Sequence, residues 1–226
     1  MIEKRKIQDF LNQQKNLFGN ELFFQSLEQI NNGLDSVYQL QSSSYKLNQY
    51  CNSIALCQEC SLGKTRNNFV FGVGDSNAEL MLVGEAPGEE EDQEGEPFVG
   101  RSGKLLNKIL AAIGKNRLEG VYITNVLKCR PPNNRDPLSS EVDKCEPYLL
   151  KQVGMIKPKL ILALGKVAAR TLLKIDIPLK EMRGTMYDYY GTPLKVTYHP
   201  STLLRNPDFK KLAWNDYKWV RDYLIG

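Results

Sequence analysis

The sequence predicts an α/β fold in which helices cover both faces of a parallel sheet. Short apolar runs rich in β-branched residues alternate with longer segments of helical periodicity, and this alternation is typical of strand–helix–strand units. Crossovers in such units are right-handed and place the helices on the faces of the sheet. The 226 residues are 42% hydrophobic and 25% charged, so the chain can bury the core of one ordinary domain.

Four apolar runs are predicted as the strands of this sheet. They are ELMLVGEA (79–86), GVYITNVLK (120–128), KLILALG (159–165) and PLKVTYHP (193–200). The segment GTMYDYYGTPLKV is predicted to contain a hairpin that leads into the last strand.

Helices are predicted between and after these runs. SGKLLNKILAAIG (102–114) begins with a serine cap and ends at a glycine, and SSEVDKCEPYLLKQVG (139–154) offers a serine cap followed by acidic residues. Two further helices are predicted over 166–173 and over about 208–224, the second carrying Trp214 and Trp219.

Residues 1–45 differ in composition from the rest of the chain. They are rich in Gln, Asn and Ser, and their apolar residues recur at spacings of three and four, which predicts one or two amphipathic helices. We expect a helical extension over 1–45, with serines 42–44 as a linker, and a main domain over 46–226. The extension is expected to pack on the main domain or on a partner.

Charge and hydropathy limit the location of the protein. The N-terminus is charged and has no apolar core of a secretory signal, and no apolar run is long enough to span a bilayer. We therefore expect a cytoplasmic protein with no membrane partner. A net charge of +4 permits an anionic partner without requiring one.

The predicted strands end in unusual loops. GEAPG follows the first strand, TNVLKCRPP the second and HPSTLLRNP the fourth. Ligands of parallel α/β sheets bind beyond the carboxyl ends of the strands. These polar, proline-containing loops are therefore expected to converge on one crevice, which is the candidate site.

The cysteines form two pairs and a remainder. Cys57 and Cys60 are separated by two residues, Cys129 and Cys145 by fifteen, and Cys51 stands apart as an expected core residue. In a reducing cytoplasm clustered thiols hold metal more often than they form disulfides. Four thiolates can bind zinc or an iron–sulfur cluster, and the spacing alone does not choose between these.

Several motifs together resemble one family. CQEC, GEAPGEEED, EPFVGRSGKLL, YITNVLKCRPPNNRDP and YHPSTLLRNP resemble, in this order and with compatible gaps, the family 4 uracil-DNA glycosylases. The resemblance runs from about residue 50 to the C-terminus. It implies a three-layer α/β/α fold around a four-stranded parallel sheet, and removal of uracil from DNA by hydrolysis of its N-glycosidic bond, which leaves an abasic site.

The resemblance also implies a cofactor. The family binds a 4Fe–4S cluster, and the ligands carried over to this sequence are Cys57, Cys60, Cys129 and Cys145, with zinc as the alternative occupant. Cys51 has no counterpart in the family pattern.

Four residues are implied to contact the base. An enzyme that acts on uracil in DNA must flip the nucleotide into a pocket. Phe98 corresponds to the aromatic residue that stacks on uracil, and Asn125 to the amide that accepts from N3–H and donates to O4. Ala86 and Asp92 are placed among the residues that bind the substrate.

Three residues are implied to act in catalysis. His199, the only histidine, corresponds to the residue that faces uracil O2 and stabilises the departing negative charge. Glu85 lies in the water-activating motif, where a carboxylate stabilises the sugar cation or orients water. Glu91 belongs to an acidic pair with Asp92, and the choice of general base between Glu85 and Glu91 stays open.

The DNA contacts are implied by the same loops. Leu203 corresponds to an apolar wedge that fills the gap left by the flipped base, and Leu204 is the other candidate. Polar and basic side chains on these loops are expected to contact phosphates. They are Arg101, Ser102, Lys104, Arg130, Arg135 and Arg205.

Other classes of function compete with this hypothesis. One is a nucleic-acid binding module that holds zinc or a cluster without catalysis. Another is a superfamily relative that cross-links to DNA through a histidine in an arginine-rich insertion, but no insertion or histidine follows YITN here. A nucleotide-binding enzyme is disfavoured because no GxGxxG or GxxxxGK is found in the needed context. The resemblance implies single- or double-stranded uracil-containing DNA as the partner, and therefore a nucleoid-associated protein in the cytoplasm. We expect a monomer, with a sliding clamp or another repair protein as a candidate partner.

Overall fold

A six-stranded mixed sheet forms the centre of the computed structural model, which describes residues 43–226. Its strands are β1 (Val73–Gly74), β2 (Leu80–Gly84), β3 (Val121–Asn125), β4 (Leu160–Leu164), β5 (Tyr187–Tyr189) and β6 (Thr192–Thr197). Their order across the sheet is β1-β3-β2-β4-β6-β5. The central strands β3, β2, β4 and β6 are parallel, whereas β1 and β5 pair antiparallel at the two edges.

The four central strands are those that the sequence predicts, and each overlaps its predicted run. β2, β3 and β4 are buried along their whole length, since a strand covered on both faces reads as a continuous apolar run. Gly84 pairs with Asn125, and Leu164 with Thr197, so the strands end at one edge of the sheet.

The two edge strands make the sheet wider than the predicted four strands. β5 and β6 form the predicted hairpin, and its loop residues Tyr190 and Gly191 have φ values of 49° and 84°, as two-residue hairpin turns require. β1 has two residues, which is too short for the hydrophobic alternation that identifies a strand.

Eight helices surround the sheet within residues 43–226. They are α1 (43–54), α2 (Glu89–Glu94), α3 (Arg101–Ala112), α4 (Ser139–Ile156), α5 (Lys166–Leu173), α6 (Leu179–Arg183), α7 (Pro200–Arg205) and α8 (Lys210–Ile225). Short 3₁₀ turns lie at Ser61–Lys64, Pro132–Asn134 and Pro207–Phe209.

Alternate side chains of the strands divide the core into two layers. On one face Met81 and Ile161 pack in a cluster with residues of α1, α4 and α5. On the other face Leu82 and Leu162 pack with residues of α3 and α8. The predicted three-layer α/β/α fold is therefore confirmed.

The predicted serine caps are wrong. α4 begins behind Leu138, whose N–H donates to a Glu141 carboxylate oxygen at 2.9 Å, and Ser139 lies inside the helix. Arg135 holds the same carboxylate through two hydrogen bonds of 2.6 and 2.9 Å, and an ionised cap is stronger than a hydroxyl. α3 begins behind Gly100, so Ser102 lies in its first turn.

The predicted N-terminal extension over 1–45 lies outside the described residues except for 43–45. Ser43 and Ser44, predicted to be part of a linker, lie in α1. Residues 43–226 form one compact unit, and the predicted boundary at residue 45 stays a prediction. Among 43–226, the structure has no helix with the length and hydropathy needed to cross a membrane.

Candidate active site

A cavity of about 530 Å³ lies at the carboxyl ends of the central strands. The three loops predicted to converge there do so, and residues 165–167 after β4 add a fourth wall that the sequence analysis did not single out. The cavity is lined by many of the predicted site residues. They are Glu85, Ala86, Glu91, Phe98, Ser102, Asn125, Arg135, His199 and Arg205.

Asn125 presents its side-chain amide to this cavity. It is the last residue of β3, and its backbone carbonyl accepts a hydrogen bond from Lys128 Nζ at 2.8 Å. Within residues 43–226 the amide group itself has no hydrogen-bond partner, although Asn125 is only 2% exposed. The amide faces the cavity instead of a protein partner, so it is available to a ligand that supplies an acceptor and a donor.

Gly84 allows the amide and an aromatic ring to meet. A Cβ atom at Gly84 would lie 2.3 Å from Asn125 Oδ1 and 2.7 Å from Phe98 Cζ. Any larger residue here would push apart the two groups that face a planar ligand. Gly84 belongs to the motif GEAPG, but no pattern in the sequence indicates this contact.

Phe98 is held in an unusual backbone conformation. Its φ is +56°, which is rare for an aromatic residue, and its ring centroid lies 5.4 Å from that of His199. A Cβ at Gly103 would lie 1.7 Å from the Phe98 carbonyl oxygen. Arg117 donates to the carbonyls of Phe98 at 3.0 Å and Pro97 at 2.6 Å. Arg117 was missed because it stands outside every motif.

His199 is a neutral hydrogen-bond donor in this site. Its Nδ1 accepts from the Ser201 N–H at 3.1 Å, so the proton of the neutral ring lies on Nε2. Burial, and then the charge of Arg205, lower the pKa of His199 to about 4. At neutral pH the ring therefore carries one N–H, on Nε2.

A network behind β6 fixes the segment that carries His199. Asp216 accepts hydrogen bonds from Thr197 at 2.6 Å and from Arg183 at 2.9 Å, through two guanidinium nitrogens. The guanidinium also lies 4.4 Å from the ring centroid of Tyr198. Arg183 and Asp216 lie on α6 and α8, far from the motifs, and no sequence signal identified them.

Glu85 lies half-buried at the end of β2 and lines the cavity. Burial, and then the negative charge of Asp136, raise the pKa of Glu85 to about 7, while Arg170 acts in the opposite direction. A carboxyl group with this pKa is suited to exchange a proton with water at neutral pH.

Glu91 has a different environment, although it also lines the cavity. One of its oxygens accepts from the N–H groups of Val99 and Gly100 at 3.0 and 3.2 Å, and the other from Gly88 at 3.1 Å. These bonds tie the loop before α2 to the start of α3. Glu91 is thus engaged in holding the cavity wall.

Asp92 does not line the cavity. It is 2% exposed and accepts hydrogen bonds from the backbone and side chain of Asn67 at 3.0 and 2.6 Å, and from the backbone of Asn68 at 3.3 Å. Its contacts connect α2 to the segment before β1.

The predicted DNA contacts are divided between the cavity and the outer surface. Ser102, Arg135 and Arg205 line the cavity, while Arg101 and Lys104 are exposed on α3. Arg130 lies 3.7 Å from Glu89 and donates to Asn134 at 2.9 Å, and Arg135 pairs with Glu141. The two wedge candidates differ, because Leu203 is 1% exposed beside Tyr198 and Ala213 whereas Leu204 is 38% exposed.

The four predicted ligands Cys57, Cys60, Cys129 and Cys145 line one small cavity that shares no residue with the first. Cys51 is half-buried against the core and does not line it. Within 43–226 no group of three or more His, Cys, Asp or Glu side chains has the arrangement for a single metal ion. The donor set of four converging thiols suits a thiolate-bound cluster.

Three hydrogen bonds are directed at these sulfur atoms. Arg66 donates to Cys129 Sγ at 3.1 Å, the Lys128 N–H donates to Cys145 Sγ at 3.3 Å, and the Tyr148 hydroxyl lies 3.1 Å from Cys57 Sγ. Burial lowers the pKa of the Lys128 ammonium to about 7, and ionised cysteines nearby act in the opposite direction. Burial raises the pKa of Cys145 to about 12 and that of Cys129 above its usual value, and Lys128 and Arg66 act in the opposite direction, towards the thiolates.

Comparison with known proteins agrees with this geometry. Residues 71–218 match the model of the Uracil DNA glycosylase superfamily. The Type-4 uracil-DNA glycosylase of Archaeoglobus fulgidus is 46% identical over 182 residues, which cover 77% of this chain and 91% of the relative. Those of Saccharolobus solfataricus and Sulfurisphaera tokodaii are 42% and 41% identical, over 79% and 75% of this chain and 86% and 80% of their own length.

The chain therefore belongs to the uracil-DNA glycosylase superfamily and, within it, to the type-4 uracil-DNA glycosylases. The family resemblance inferred from the motifs is confirmed.

Proposed function

We propose that the cavity binds a uracil flipped out of DNA and that Asn125, His199 and Glu85 carry its recognition and removal. Through its family the protein is a DNA-repair hydrolase of N-glycosyl bonds. The roles of its residues are our proposal, which rests on one observation: a free amide, a neutral imidazole and a carboxyl group of raised pKa share one cavity.

Asn125 reads the base in this proposal. Its amide oxygen accepts from uracil N3–H and its amide nitrogen donates to O4, whereas cytosine presents the opposite pattern at these two atoms. The ring of Phe98, less than 3 Å from the position of a Gly84 Cβ, stacks on the flipped base. Ala86 completes the cavity wall beside them.

His199 stabilises the leaving group. Cleavage of the glycosidic bond leaves negative charge on the base, and the Nε2–H of the neutral ring donates to O2 as that charge develops. A neutral imidazole remains such a donor down to about pH 4, because its pKa is about 4. Ser201 holds the ring through Nδ1 and so keeps the proton on the nitrogen that faces the base.

Glu85 is the group proposed to activate the attacking water. Its ionised form stabilises the oxocarbenium-like sugar and orients or deprotonates the attacking water. The choice between Glu85 and Glu91, open on sequence alone, is made on hydrogen bonding. Both Glu91 oxygens are occupied by backbone N–H groups, whereas Glu85 has the raised pKa of a proton acceptor at neutral pH.

The DNA backbone is proposed to lie across the rim of the cavity. Arg205, Ser102 and Lys166 line the rim and can contact phosphates, with Arg101, Lys104 and Arg130 further out. We propose Leu204 as the wedge in place of Leu203, because only Leu204 exposes a substantial part of its side chain.

Cys57, Cys60, Cys129 and Cys145 are proposed to hold a 4Fe–4S cluster. Bound there, it would cross-link the segment before β1 to the loop after β3 and to α4, which is a structural contribution. Zinc remains the competing occupant. Brown protein that contains iron and acid-labile sulfide supports the cluster, and colourless protein that contains zinc excludes it.

The activity is tested with oligonucleotides that carry one uracil. Alkali-labile breaks at the uracil are expected in U:G, U:A and single-stranded substrates, and the matched thymine oligonucleotide should stay intact. Binding without cleavage, by protein with a full cysteine site, would favour a nucleic-acid binding module instead.

The location and partners of the protein stay predictions. They are a monomeric, nucleoid-associated state in the cytoplasm and a link to a sliding clamp or another repair protein.

A further inference from the structure

Lys128 is a fully buried cation that lies between the cysteine site and the catalytic cavity. It is 0% exposed. Its ammonium donates to Thr124 Oγ1 at 2.6 Å, Asn125 O at 2.8 Å and Gln152 Oε1 at 2.6 Å. All three N–H groups are used, and each acceptor is neutral. Burying a charge is costly, and the nearby cysteines act on this ammonium only when they are ionised, so the position calls for a specific explanation.

The acceptors of Lys128 are themselves oriented. The Thr124 hydroxyl and the Gln152 amide both donate to the carbonyl of Phe71, at 2.9 and 3.0 Å, and the Gln152 amide also lies 3.2 Å from the Tyr122 hydroxyl. These donations leave the oxygen of each group directed at the ammonium. The network is satisfied at every member, and such buried networks hold one arrangement of their backbone segments.

Lys128 also contacts the cysteine site through its backbone. Its N–H donates to Cys145 Sγ at 3.3 Å, and Cys129 is the next residue in the chain. One residue thus ties the end of β3 to Cys145 of α4 and, through Gln152, to a point two turns further along the same face of that helix.

We propose that Lys128 is a positioning residue that holds Asn125 in register with the Watson–Crick edge of uracil. The ammonium restrains the backbone of Asn125 at two points. It bonds to the Asn125 carbonyl and to the side chain of the preceding residue, Thr124. The Asn125 amide has no other hydrogen bond within 43–226 to fix it. The direction of the Asn125 amide therefore depends on the position of the Asn125 backbone. The inference rests on the proposed role of Asn125.

The test measures the inhibition constant of free uracil in the DNA cleavage assay, because this constant does not change with the fraction of active protein. Lys128→Met removes the ammonium and keeps an unbranched chain. We expect it to weaken uracil binding about tenfold, the scale of a misplaced contact group. Thr124→Val removes one acceptor while leaving the cation, and a factor of about three is expected.

Val153→Ala is the matched control. Val153 is buried beside Gln152 on α4 but lies outside the network, so this variant lowers stability and should keep the parent inhibition constant. Iron per protein is measured for each variant and should equal that of the parent, since all four ligand cysteines remain. A fall in uracil affinity that only tracks lost iron would overturn the proposal, because Lys128 would then serve the cysteine site alone.

Asn125→Ala separates this inference from the proposed function. If Asn125→Ala weakens uracil binding while Lys128→Met and Thr124→Val do not, the positioning role is wrong and the role of Asn125 stands. If Asn125→Ala itself binds uracil as the parent does, the role of Asn125 is wrong. Should Lys128→Met fail to fold, Thr124→Val decides the question alone.

Discussion

The catalytic cavity and the cysteine site differ in how their polar groups are hydrogen-bonded. In the cavity, the amide of Asn125 is free of hydrogen bonds within 43–226 and the carboxyl group of Glu85 has a pKa of about 7. In the cysteine site, Arg66, Tyr148 and the Lys128 backbone are all directed at sulfur atoms. Groups that exchange partners during a reaction are left open, whereas groups that hold a permanent occupant are surrounded by donors.

The difference has a structural basis in what supports each site. Two residues of the cavity wall are held by hydrogen bonds. Arg117 donates to the backbone carbonyl of Phe98, and the Ser201 N–H donates to Nδ1 of His199. The cysteines instead use their own sulfur atoms to receive the supporting bonds. Substitutions in the cavity should therefore change rates and leave the fold intact, and substitutions in the cysteine site should do the reverse.

The largest effect is expected from Cys145→Ser. Loss of one of four ligands should release most of the iron, and because metal binding contributes to folding, the melting temperature should fall by about 10 °C or more. Cys51→Ser is the control, since Cys51 does not line the cysteine cavity, and it should keep both iron and melting temperature. A Cys145→Ser protein with full iron content would contradict the assignment.

His199→Ala should lower the single-turnover cleavage rate about 10²- to 10³-fold, because one donor to the developing anion is lost. The melting temperature should change little, in contrast to Cys145→Ser. Ser201→Ala is a milder variant that keeps the backbone N–H on Nδ1, and it should retain most of the rate. Cleavage by His199→Ala at the parent rate would remove the histidine from the mechanism.

Asn125→Asp should lower kcat/KM for uracil-containing DNA about 10- to 100-fold. The substitution is isosteric, but an ionised carboxylate cannot donate to uracil O4 and leaves that contact repulsive. Asn133→Asp, on the exposed turn after β3, makes the same chemical change away from the cavity and is expected to be silent. Equal losses in the two variants would indicate a general charge effect.

The smallest effect is expected in the pH dependence of kcat/KM. Because ionised Glu85 is the active form, kcat/KM should rise as pH increases through about 7, and His199 does not contribute to this limb because its pKa is about 4. Asp136 raises the pKa of Glu85, so Asp136→Asn should move the midpoint to lower pH with little change in the plateau. Glu85→Gln should remove the rise. A midpoint unaffected by both variants would assign this limb to another group.

The sequence predicted the central sheet well because three of its strands are buried on both faces. Continuous apolar runs such as LILAL cannot remain outside a core, so β2, β3 and β4 were identifiable without tertiary information. In β6, buried and half-buried residues alternate over most of the strand, and that alternation is a strand pattern as well. The serine caps failed for the opposite reason. Glu141 is a cap only because Arg135 folds back on it, and this pairing is not visible in a local pattern.

The candidate site was predictable where its residues belong to strand-end loops. Glu85, Asn125 and His199 lie at the ends of predicted strands or within two residues beyond them, and parallel strands bring such residues to one edge of the sheet. Adjacent residues in the same motifs were not separable. Glu91 and Asp92 are neighbours in sequence, yet one lines the cavity and the other is buried against Asn67.

By itself, the sequence determined the fold class, the edge of the sheet at which the site lies and the chemical groups available there. These depend on the hydrophobic pattern of each segment and on the order of strands and loops along the chain, and both can be read directly from the sequence. Only the tertiary structure decided which of these groups are open and which are held, and it alone identified Arg117, Asp216 and Lys128 as supports. Their roles arise from contacts between segments distant in the chain, and the direction of a side chain depends on packing that no single segment contains.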